Sequence, residues 1–523
     1  MRVLLWLLVL VALIDITAFG LTDLDEGFYA SVAWEMEQQG DWWTPRFRHE
    51  PWFEKPPLLY WLMMFSMRLF GEGEFALRLP SVLLFGLTLI LIVAWGERRL
   101  GVGVGALAGL LFALAPLSLL LTRLALTDMA LCCWLTLALI ALWEARERPL
   151  PWSLLGGVAL GLAILTKGPV GLGLIGLHYL LNARALHAQG LRLRWVLFAL
   201  IAAVATAVPW YLGVYVQHGR AFFEEFVLRQ NLMRFAGGDT AHSVLPLIQR
   251  GGAGNIAAGI AIYLLFYGVV LWLGALPMSL WAGALWHREL EEPPVAGYLR
   301  RWAWLVFGLF TVSFTKLPAY IFPMLPAFAL LVAFSLTARR EPRPPGTFRH
   351  SLFATRYLPF ALGGLALAIW TLLGMVVAQL SGVWQAGLLG IGLSMVALWL
   401  ASGQHWAVPL WLGILTLLLG LNGALRGYDR LMLAPVRELA QAVPPYRTLI
   451  LYRVHPGYPS LQFYRRGRTA TVDNLNALLQ QMESQGAYCL TTDDTLTTHP
   501  RLLLLEHRRA AGRTFYLLVA RYR

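Results

Sequence analysis

The chain has 523 residues, of which 58% are hydrophobic and 14% charged, with a formal net charge of +13. This composition excludes an ordinary soluble protein, because too few charged residues remain to cover a water-facing surface of this size. It predicts a polytopic, mainly α-helical membrane protein, whose positive charge faces the cytoplasm and anionic lipid, so nucleic acid is not an expected partner.

About thirteen hydrophobic stretches are candidates for membrane spans, each of which needs roughly 20 apolar residues. They lie near 3–20, 81–95, 102–121, 128–143, 152–166, 168–183, 195–216, 258–285, 302–314, 318–336, 357–380, 384–401 and 405–422.

The arginines between these stretches predict the orientation, since short cytoplasmic loops are enriched in positive charge. A cytoplasmic N-terminus places the basic connecting segments inside and leaves 21–80, 217–256 and 428–523 on the extracytoplasmic face. The predicted organisation is therefore a transmembrane domain, 1–427, with outer loops at 21–80 and 217–256, followed by an extracytoplasmic domain, 428–523. The inside arginines are Arg98, Arg99, Arg146, Arg148, Arg184, Arg192, Arg194, Arg300, Arg301, Arg339, Arg340, Arg343, Arg349 and Arg356.

The outer segments have secondary-structure patterns of their own. In the first loop, the stretches 30–38 and 58–70 predict helices that lie in the membrane interface. The C-terminal segment alternates strand-like runs with a helical stretch at 473–484, for which Asp473 is the predicted N-cap. This pattern predicts a small α/β domain. The strand-like runs are 448–452, 487–491, 501–505 and 514–519.

A set of charged residues falls at the predicted outer boundary of the membrane. Charge at membrane depth is costly, so carboxylates and lysines gathered on one face indicate a site for an anionic lipid headgroup together with acid–base chemistry. The alternative is that helix ends collect polar residues, with Asp25 or Glu26 capping a helix and Arg123 in a simple ion pair with Asp128. The set comprises Asp25, Glu26, Glu54, Lys55, Arg123, Asp128, Lys167 and Lys316.

All lysines of the chain belong to this set, while every other basic side chain apart from histidine is arginine. Lysine at these three positions, in a chain that otherwise uses arginine, indicates that each of them needs a compact ammonium group. Lys55 follows Glu54 directly before a pair of prolines. Lys167 precedes Gly168, a residue that would allow a phosphate to approach the backbone. Lys316 opens a proline-punctuated segment of the kind that lines cavities.

Several short motifs follow one another in order along nearly the whole chain. In these motifs the chain resembles the integral-membrane glycosyltransferases of the GT-C class, which use a polyprenyl-phosphate sugar donor. It looks most like the aminoarabinose transferases that act on lipid A, and more distantly like the protein mannosyltransferases. The motifs are Asp25-Glu26-Gly27-Phe28-Tyr29, Phe53-Glu54-Lys55-Pro56, Arg123 to Asp128, Thr166-Lys167-Gly168-Pro169, Asn231-Leu232-Met233-Arg234-Phe235, Lys316 to Tyr320, and Pro459-Ser460 to Tyr464.

The resemblance implies a GT-C-like fold of thirteen spans and an enzyme of the bacterial inner membrane whose active site faces the periplasm. The implied reaction moves a sugar from undecaprenyl phosphate to a lipid A-like glycolipid, a polysaccharide or a protein. The resemblance also implies residue roles. Asp25 would be the catalytic base and Asp128 a second acid, with the carrier phosphate held by Lys55, Lys167, Lys316 and Tyr320, and with Glu26, Tyr29, Glu54, Arg123 and Arg234 in support.

No cofactor is expected, because the donor is not a nucleotide diphosphate and its leaving group does not demand a metal. Glu54 is the candidate ligand for a divalent ion. Two positions depart from the aminoarabinose transferases: Phe28 stands where they have arginine, and Gln230 where they have a histidine that can bind metal with the glutamate. A single glutamate makes a poor zinc site. Because both positions differ from the aminoarabinose transferases, the sequence does not identify the sugar or the acceptor.

Two other functions compete with the transferase. A transporter or flippase of an anionic polyprenyl-linked lipid would also use lysines and a cavity, but such carriers place charges near the middle of the bilayer and contain internal repeats. Neither feature is found, apart from Asp15 within the first predicted span. A ligase of whole glycan chains would favour a large arginine-rich outer loop.

Overall fold

A computed structural model describes Leu13 and residues 16–23, 25–233, 253–286, 292–338, 358–402, 407–454 and 458–521. Asp15, Arg234 and most of the first predicted span lie outside the described residues. The chain forms two compact units whose segments alternate along the sequence. The first unit contains the described residues of Phe53–Leu59 and Leu79–Ala366, and the second those of Asp15–Trp52, Tyr60–Arg78 and Leu367–Arg523.

The first unit is a bundle of helices. Their sequences consist largely of leucine, alanine and valine, and a helix satisfies its backbone hydrogen bonds internally, as a bilayer requires. Glycine and proline end many of them. The helices are Glu74–Arg99, which begins in the second unit, Val104–Leu114, Pro116–Thr122, Thr127–Glu144, Pro149–Lys167, Val170–Ala188, Leu193–His218, Arg220–Phe222, Phe223–Met233, Ala253–Gly274, Met278–Leu285, Pro294–Val312, Pro318–Met324 and Leu325–Ala338.

Within the described residues, seven helices are long and apolar enough to cross a membrane, or eight if one strongly bent pair is a single span. That pair, Val104–Leu114 and Pro116–Thr122, is bent by 70° at Ala115. The prediction of a polytopic membrane protein is confirmed. The count of thirteen spans stays a prediction, because several predicted spans correspond to helices that are shorter or more polar.

The second unit combines helices with a five-stranded sheet. Its strand order is Thr469–Val472, Leu449–Tyr452, Tyr488–Thr491, Arg513–Ala520 and Leu502–Ala510; the first three strands are parallel and the last two form an antiparallel hairpin. Two further short strands, Arg46–Phe47 and Glu50–Pro51, pair with each other in antiparallel orientation. Two helices of this unit, Leu58–Phe70 and Leu358–Ser381, begin in the first unit. The helices are Asp25–Gln39, Leu58–Phe70, Leu358–Ser381, Trp384–Gly387, Leu388–Ser402, Ala407–Tyr428, Asp429–Leu433, Ala434–Gln441, Ser460–Tyr464, Leu475–Gln485 and Asp494–Thr498.

The C-terminal strands agree with the predicted α/β pattern, with two differences. The edge strand Thr469–Val472 was not predicted, although its four residues, Thr-Ala-Thr-Val, alternate polar and apolar side chains. The predicted cap of the following helix, Asp473, is wrong. Asn474 is the N-cap, since its Oδ1 accepts hydrogen bonds from the backbone N–H groups of Asn476 at 2.8 Å and Ala477 at 3.5 Å.

The helix Asp25–Gln39 differs from the predicted interfacial helix. It begins five residues earlier than expected, and it buries polar as well as apolar side chains within the second unit, among them Glu26, Tyr29 and Glu35. It therefore does not present one apolar face to a membrane and one polar face to water. Its polar side chains are tolerated inside the protein because they are paired.

The strongest of these pairings joins Glu26 to Arg78. Both side chains are fully buried, and the guanidinium donates to the two carboxylate oxygens at 2.7 and 2.8 Å. Arg78 also donates to the carbonyl oxygens of Ile16, Phe19 and Gly20 at 2.8–2.9 Å. One guanidinium thus fixes the chain just before the helix Asp25–Gln39.

The C-terminal segment packs directly on the same helix. The Ser31 hydroxyl donates to the Pro459 carbonyl at 2.8 Å, and the Ser460 N–H donates to Asp23 Oδ1 at 3.0 Å. A Cβ atom added at Gly27 would lie 2.6 Å from the Ser460 nitrogen, so only glycine fits between the two segments. The C-terminal segment therefore braces the helix Asp25–Gln39.

We expect Arg78→Met to destabilise the protein by about 3–5 kcal/mol, because it leaves the Glu26 carboxylate buried without its partner. The measurement is thermal unfolding in detergent. Arg68→Met is the matched control, since Arg68 pairs with Glu37 at 2.7 Å on a half-exposed surface and its loss should cost at most about 1 kcal/mol. Equal melting temperatures for the two variants would contradict the structural role of the buried pair.

Asp23 predicts a pH dependence of stability. Burial raises the pKa of Asp23 from 3.8 to about 6, against the opposing effect of its hydrogen bonds with Ser460. Between these values the folded chain binds more protons than the unfolded chain, so the free energy of unfolding should rise as the pH falls from above 6 towards 4. Asp23→Asn should lose this contribution. If the melting temperatures of the wild type and of Asp23→Asn change by the same amount between pH 7 and pH 4.5, the prediction is wrong.

Candidate active site

A cavity of about 110 Å³ lies within the first unit, and we call it the lysine cavity. Segments that are distant in the sequence meet there, bringing together much of the predicted site. The polar lining residues are Glu54, Lys55, Asp128, Lys167, Gln230, Asn231, Ser313, Thr315 and Tyr320, and the apolar ones are Leu131, Val170, Phe226, Phe310 and Ala319.

Lys55 enters the cavity from the segment just before the helix Leu58–Phe70. Its Nζ lies 2.7 Å from Glu54 Oε1, and both side chains are largely buried. The preceding residue, Phe53, is held by the rings of His218 and Phe222, at centroid distances of 5.1 and 5.2 Å. This aromatic contact anchors the segment and so fixes where the Glu54–Lys55 pair lies.

Lys167 and Asp128 form a second ion pair, in which Lys167 Nζ lies 2.6 Å from Asp128 Oδ1. Asp128 stands in the first turn of its helix and Lys167 is the last residue of another. Each charge is therefore at the helix end that favours its sign. Lys167 Nζ also lies 5.0 Å from the ring centroid of Tyr320, at cation–π distance.

Gly168 separates two helices and adopts a positive φ of 78°. A Cβ atom at this position would lie 3.1 Å from the Phe226 ring and 3.2 Å from Asn231 Oδ1. The sequence suggested that a phosphate approaches this glycine, but in the structure the neighbouring space holds protein side chains. Glycine is needed here so that the helix Phe223–Met233 can pack against the turn.

Lys316 has different surroundings from the other two lysines and is not among the residues that line the cavity. Its Nζ donates to the carbonyl oxygens of Phe310 at 3.1 Å and Thr311 at 2.7 Å, near the end of the helix Pro294–Val312. It also lies over the rings of two tyrosines, Tyr263 and Tyr267. Burial lowers the pKa of Lys316 from 10.5 to about 8. The observed contacts are those of a helix C-cap.

The other predicted site residues lie elsewhere. Asp25 is the exposed first residue of its helix in the second unit, where Glu26 is bound to Arg78 and Tyr29 packs edge-on against Tyr60 with centroids 6.0 Å apart.

Arg123 is fully buried in the first unit, and its Nη1 donates to the Leu119 carbonyl at 3.1 Å. The acid that the alternative interpretation paired with it, Asp128, bonds to Lys167 instead. Arg234 lies outside the described residues.

The residues around Glu54 do not fit a divalent metal ion. Glu54 is bound to the Lys55 ammonium, while the Gln230 amide donates to Glu225 Oε1 at 2.8 Å. Among the residues that the structure describes, no three His, Cys, Asp or Glu side chains are grouped closely enough to hold a metal. A structural zinc ion requires about four nitrogen, sulfur or oxygen ligands.

Ser313 and Thr315 line the lysine cavity but were missed in the sequence. They are short polar residues within an apolar stretch, and only their position next to Lys316 signals a site. Gln230 was noticed as a departure from a family motif rather than as a lining residue.

Comparison with known proteins supports the resemblance in sequence. Residues 54–212 match the family described as dolichyl-phosphate-mannose-protein mannosyltransferase. The undecaprenyl phosphate-alpha-4-amino-4-deoxy-L-arabinose arabinosyl transferase of Pseudomonas paraeruginosa is 32% identical over 361 residues, which cover 64% of this chain and 60% of that protein. The protein of the same description from Edwardsiella ictaluri is 30% identical, over 59% of this chain and 54% of its own. The match thus spans less than two thirds of these relatives' length.

The fold is shared more widely than the sequence. The crystal structure of ArnT from Cupriavidus metallidurans bound to undecaprenyl phosphate superposes with a TM-score of 0.72 at 24% identity, over 99% of this chain and 97% of that one. The apo state gives a TM-score of 0.71 at 23% identity, over the same shares of the two chains. The chain therefore has the ArnT-like fold, and its predicted resemblance to the superfamily of lipid A aminoarabinose transferases and protein mannosyltransferases is confirmed.

Proposed function

We propose that this chain is a membrane glycosyltransferase that moves a sugar from a polyprenyl-phosphate carrier to an acceptor hydroxyl. The observation that carries the proposal is the lysine cavity, where Lys55 and Lys167, each paired with a carboxylate, line one space inside a helical membrane unit. A phosphate that entered this space would compete with Glu54 and Asp128 for the two ammonium groups, in apolar surroundings where electrostatic interactions are stronger than in water.

The chemistry of such a donor fits these groups. The acceptor hydroxyl attacks the anomeric carbon, the bond from that carbon to the phosphate oxygen breaks, and polyprenyl phosphate leaves with one additional negative charge. Cations already held in place stabilise that charge as it develops. In this proposal Lys55 and Lys167 hold the phosphate, and Tyr320 and Asp128 keep Lys167 in place.

The hydroxyl proton must pass to a base, and we assign this role to Asp25 on the family resemblance. A carboxylate next to a reacting hydroxyl is an ordinary general base. Glu26 and Tyr29 would act as positioning residues, since their contacts hold the start of the same helix. Arg123 would have a similar supporting role within the first unit. We assign Lys316 to the positioning of the segment that carries Thr315 and Tyr320.

The relatives' names suggest the donor class. Undecaprenyl phosphate is the proposed carrier and 4-amino-4-deoxy-L-arabinose the first sugar to test. A lipid A-like glycolipid is the first acceptor to test, before polysaccharide and protein. Phe28 stacks on Trp52 with centroids 4.9 Å apart, so an aromatic pair occupies the position where the aminoarabinose transferases have arginine. This difference is the reason to test other sugars as well.

The proposed location is the bacterial inner membrane, with thirteen spans, a periplasmic active site and an extracytoplasmic α/β domain at 428–523. The supporting observations are the arginine distribution, the apolar helices and the C-terminal sheet. The runner-up function, transport of an anionic polyprenyl-linked lipid, would use the same cavity without a base.

We expect Lys55→Gln and Lys167→Gln each to lower the transfer rate by about 100-fold or more, which is typical for the loss of one group that stabilises developing charge. Native mass spectrometry should show that both variants retain less added undecaprenyl phosphate than the wild type. Arg220→Gln is the control, because Arg220 is an exposed cation that pairs with Glu224 and lies outside the cavity lining. It should keep the bound lipid. The same loss of lipid in all three variants would contradict the assignment of the phosphate site.

Asp25→Asn separates the transferase from the transporter. The variant should retain undecaprenyl phosphate and lose transfer by about 10²–10⁴-fold, the range typical of general-base catalysis. Glu37→Gln in the same helix is the control and should transfer at the wild-type rate. If neither the wild type nor Asp25→Asn transfers sugar, and both move the lipid between leaflets equally fast, the transporter is correct.

A further inference from the structure

The charged residues that line the lysine cavity form two ion pairs of opposite charges. Lys55 Nζ lies 2.7 Å from Glu54 Oε1, and Lys167 Nζ lies 2.6 Å from Asp128 Oδ1. Among the described residues of the lining, these two lysines and two carboxylates are the charged ones. The formal charges of the described lining therefore sum to zero, and each ammonium group has an anion of the protein beside it.

Both pairs are shielded from water. The side chains of Lys55 and Glu54 are 11% and 18% exposed, and those of Lys167 and Asp128 are 16% and 11% exposed. Apolar side chains such as that of Phe226 border the same space. In such surroundings the loss of one member of an ion pair is far more costly than at an exposed surface. The two carboxylates therefore compensate the ammonium groups from within the protein.

A phosphate and a carboxylate compete for the same ammonium group. An ammonium group has three N–H donors, so it has room to bind two oxygen atoms at once. Two anions beside one ammonium group nevertheless repel each other, and this repulsion is strong where water is scarce. A phosphate that binds to Lys55 therefore weakens the contact between Lys55 and Glu54. In the same way, a Glu54 carboxylate that returns to the ammonium group favours the departure of the phosphate.

The proposed reaction makes the bound phosphate more negative. In the donor this group is a phosphodiester with a single negative charge. The acceptor oxygen bonds to the anomeric carbon, the electrons of the broken carbon–oxygen bond stay on the phosphate, and the hydroxyl proton passes to the base. The product is a phosphate monoester with about 1.5 to 2 negative charges at pH 7. The lysines therefore hold the product more tightly than the donor, which makes product release a demanding step.

We propose that Glu54 and Asp128 are internal counter-anions that release the product, polyprenyl phosphate, by binding again to Lys55 and Lys167. This inference rests on the proposed transferase and adds a release step to it. Neither carboxylate takes the hydroxyl proton, which passes to Asp25. Because the carboxylates belong to the chain, they stay beside the ammonium groups through every turnover, and no metal or second ligand is needed to remove the product.

A purely positioning role for the same carboxylates predicts the opposite result. If Glu54 only held Lys55 in place, removal of its charge would loosen the lysine and weaken the binding of a phosphate. If Glu54 is a counter-anion, Glu54→Gln removes the competitor, while the glutamine side-chain oxygen still accepts a hydrogen bond from the ammonium group. The sign of the change in lipid affinity therefore distinguishes the two roles.

The first measurement is a titration of the full chain with undecaprenyl phosphate in detergent, followed by native mass spectrometry. We expect Glu54→Gln to bind this lipid at least about tenfold more tightly than the wild type, because the phosphate no longer competes with a buried carboxylate. Added lipid should also raise the melting temperature of Glu54→Gln more than that of the wild type, since tighter binding stabilises the folded state more. Asp128→Asn tests the second pair, and its affinity should change in the same direction.

The second measurement follows sugar transfer over one turnover and over many. Glu54→Gln should complete the first turnover at least as fast as the wild type. Later turnovers should be slower by at least about fivefold, because release of the more tightly bound product then limits the rate. The time course should therefore show a burst, and added undecaprenyl phosphate should inhibit the variant more strongly than the wild type.

Glu224→Gln is the matched control, because Glu224 pairs with Arg220 at 2.6 Å on an exposed surface and does not line the cavity. It should bind the lipid as the wild type does and show no burst. The inference is overturned if Glu54→Gln and Asp128→Asn bind undecaprenyl phosphate no more tightly than the wild type while the wild type transfers sugar. If the wild type transfers no sugar to any acceptor, the proposed function itself is wrong.

Discussion

A charge that leaves water costs several kcal/mol unless a partner compensates it, and this constraint governs the polar interior of the protein. The pair Glu26–Arg78 is fully buried, and the pairs Glu54–Lys55 and Asp128–Lys167 are nearly so. The first pair holds a loop and has no opening to a ligand. The other two border the lysine cavity, where we propose that a phosphate binds. The same physical requirement thus produces a structural tie in one unit and a candidate binding site in the other.

The structure also explains why the sequence predicted some site residues and not others. Lys55, Lys167 and Asp128 were recognisable because a charge beside an apolar span is unusual, and the structure brings them together. The same reasoning included Lys316, whose contacts with carbonyl oxygens and tyrosine rings depend on helices that are distant in the sequence. Composition reveals that a charge needs a partner, and only the fold decides whether that partner is a ligand or the protein.

Local patterns were sufficient for most secondary structure and insufficient for the packing of residues 21–80. The predicted strands in the tail are present because alternation and turn residues act over a few positions. In contrast, the stretch 30–38 was predicted to lie in the membrane interface, whereas the acidic residues Glu26 and Glu35 of the helix Asp25–Gln39 are buried within the protein. Their partners include Arg78 and Gln462, the latter at 2.8 Å from Glu35 and 427 residues away. No local pattern carries that information.

The contact between Ser31 and Pro459 has a consequence for biosynthesis. These residues are 428 positions apart, and at 5–20 residues per second the ribosome needs roughly 20 to 90 s to add the second after the first. During that interval the helix that begins at Asp25 lacks the segment against which it packs, while the membrane helices between them are inserted. The segment with the proposed base is thus completed late, so a prematurely terminated chain would enter the membrane without the contact that braces its helix.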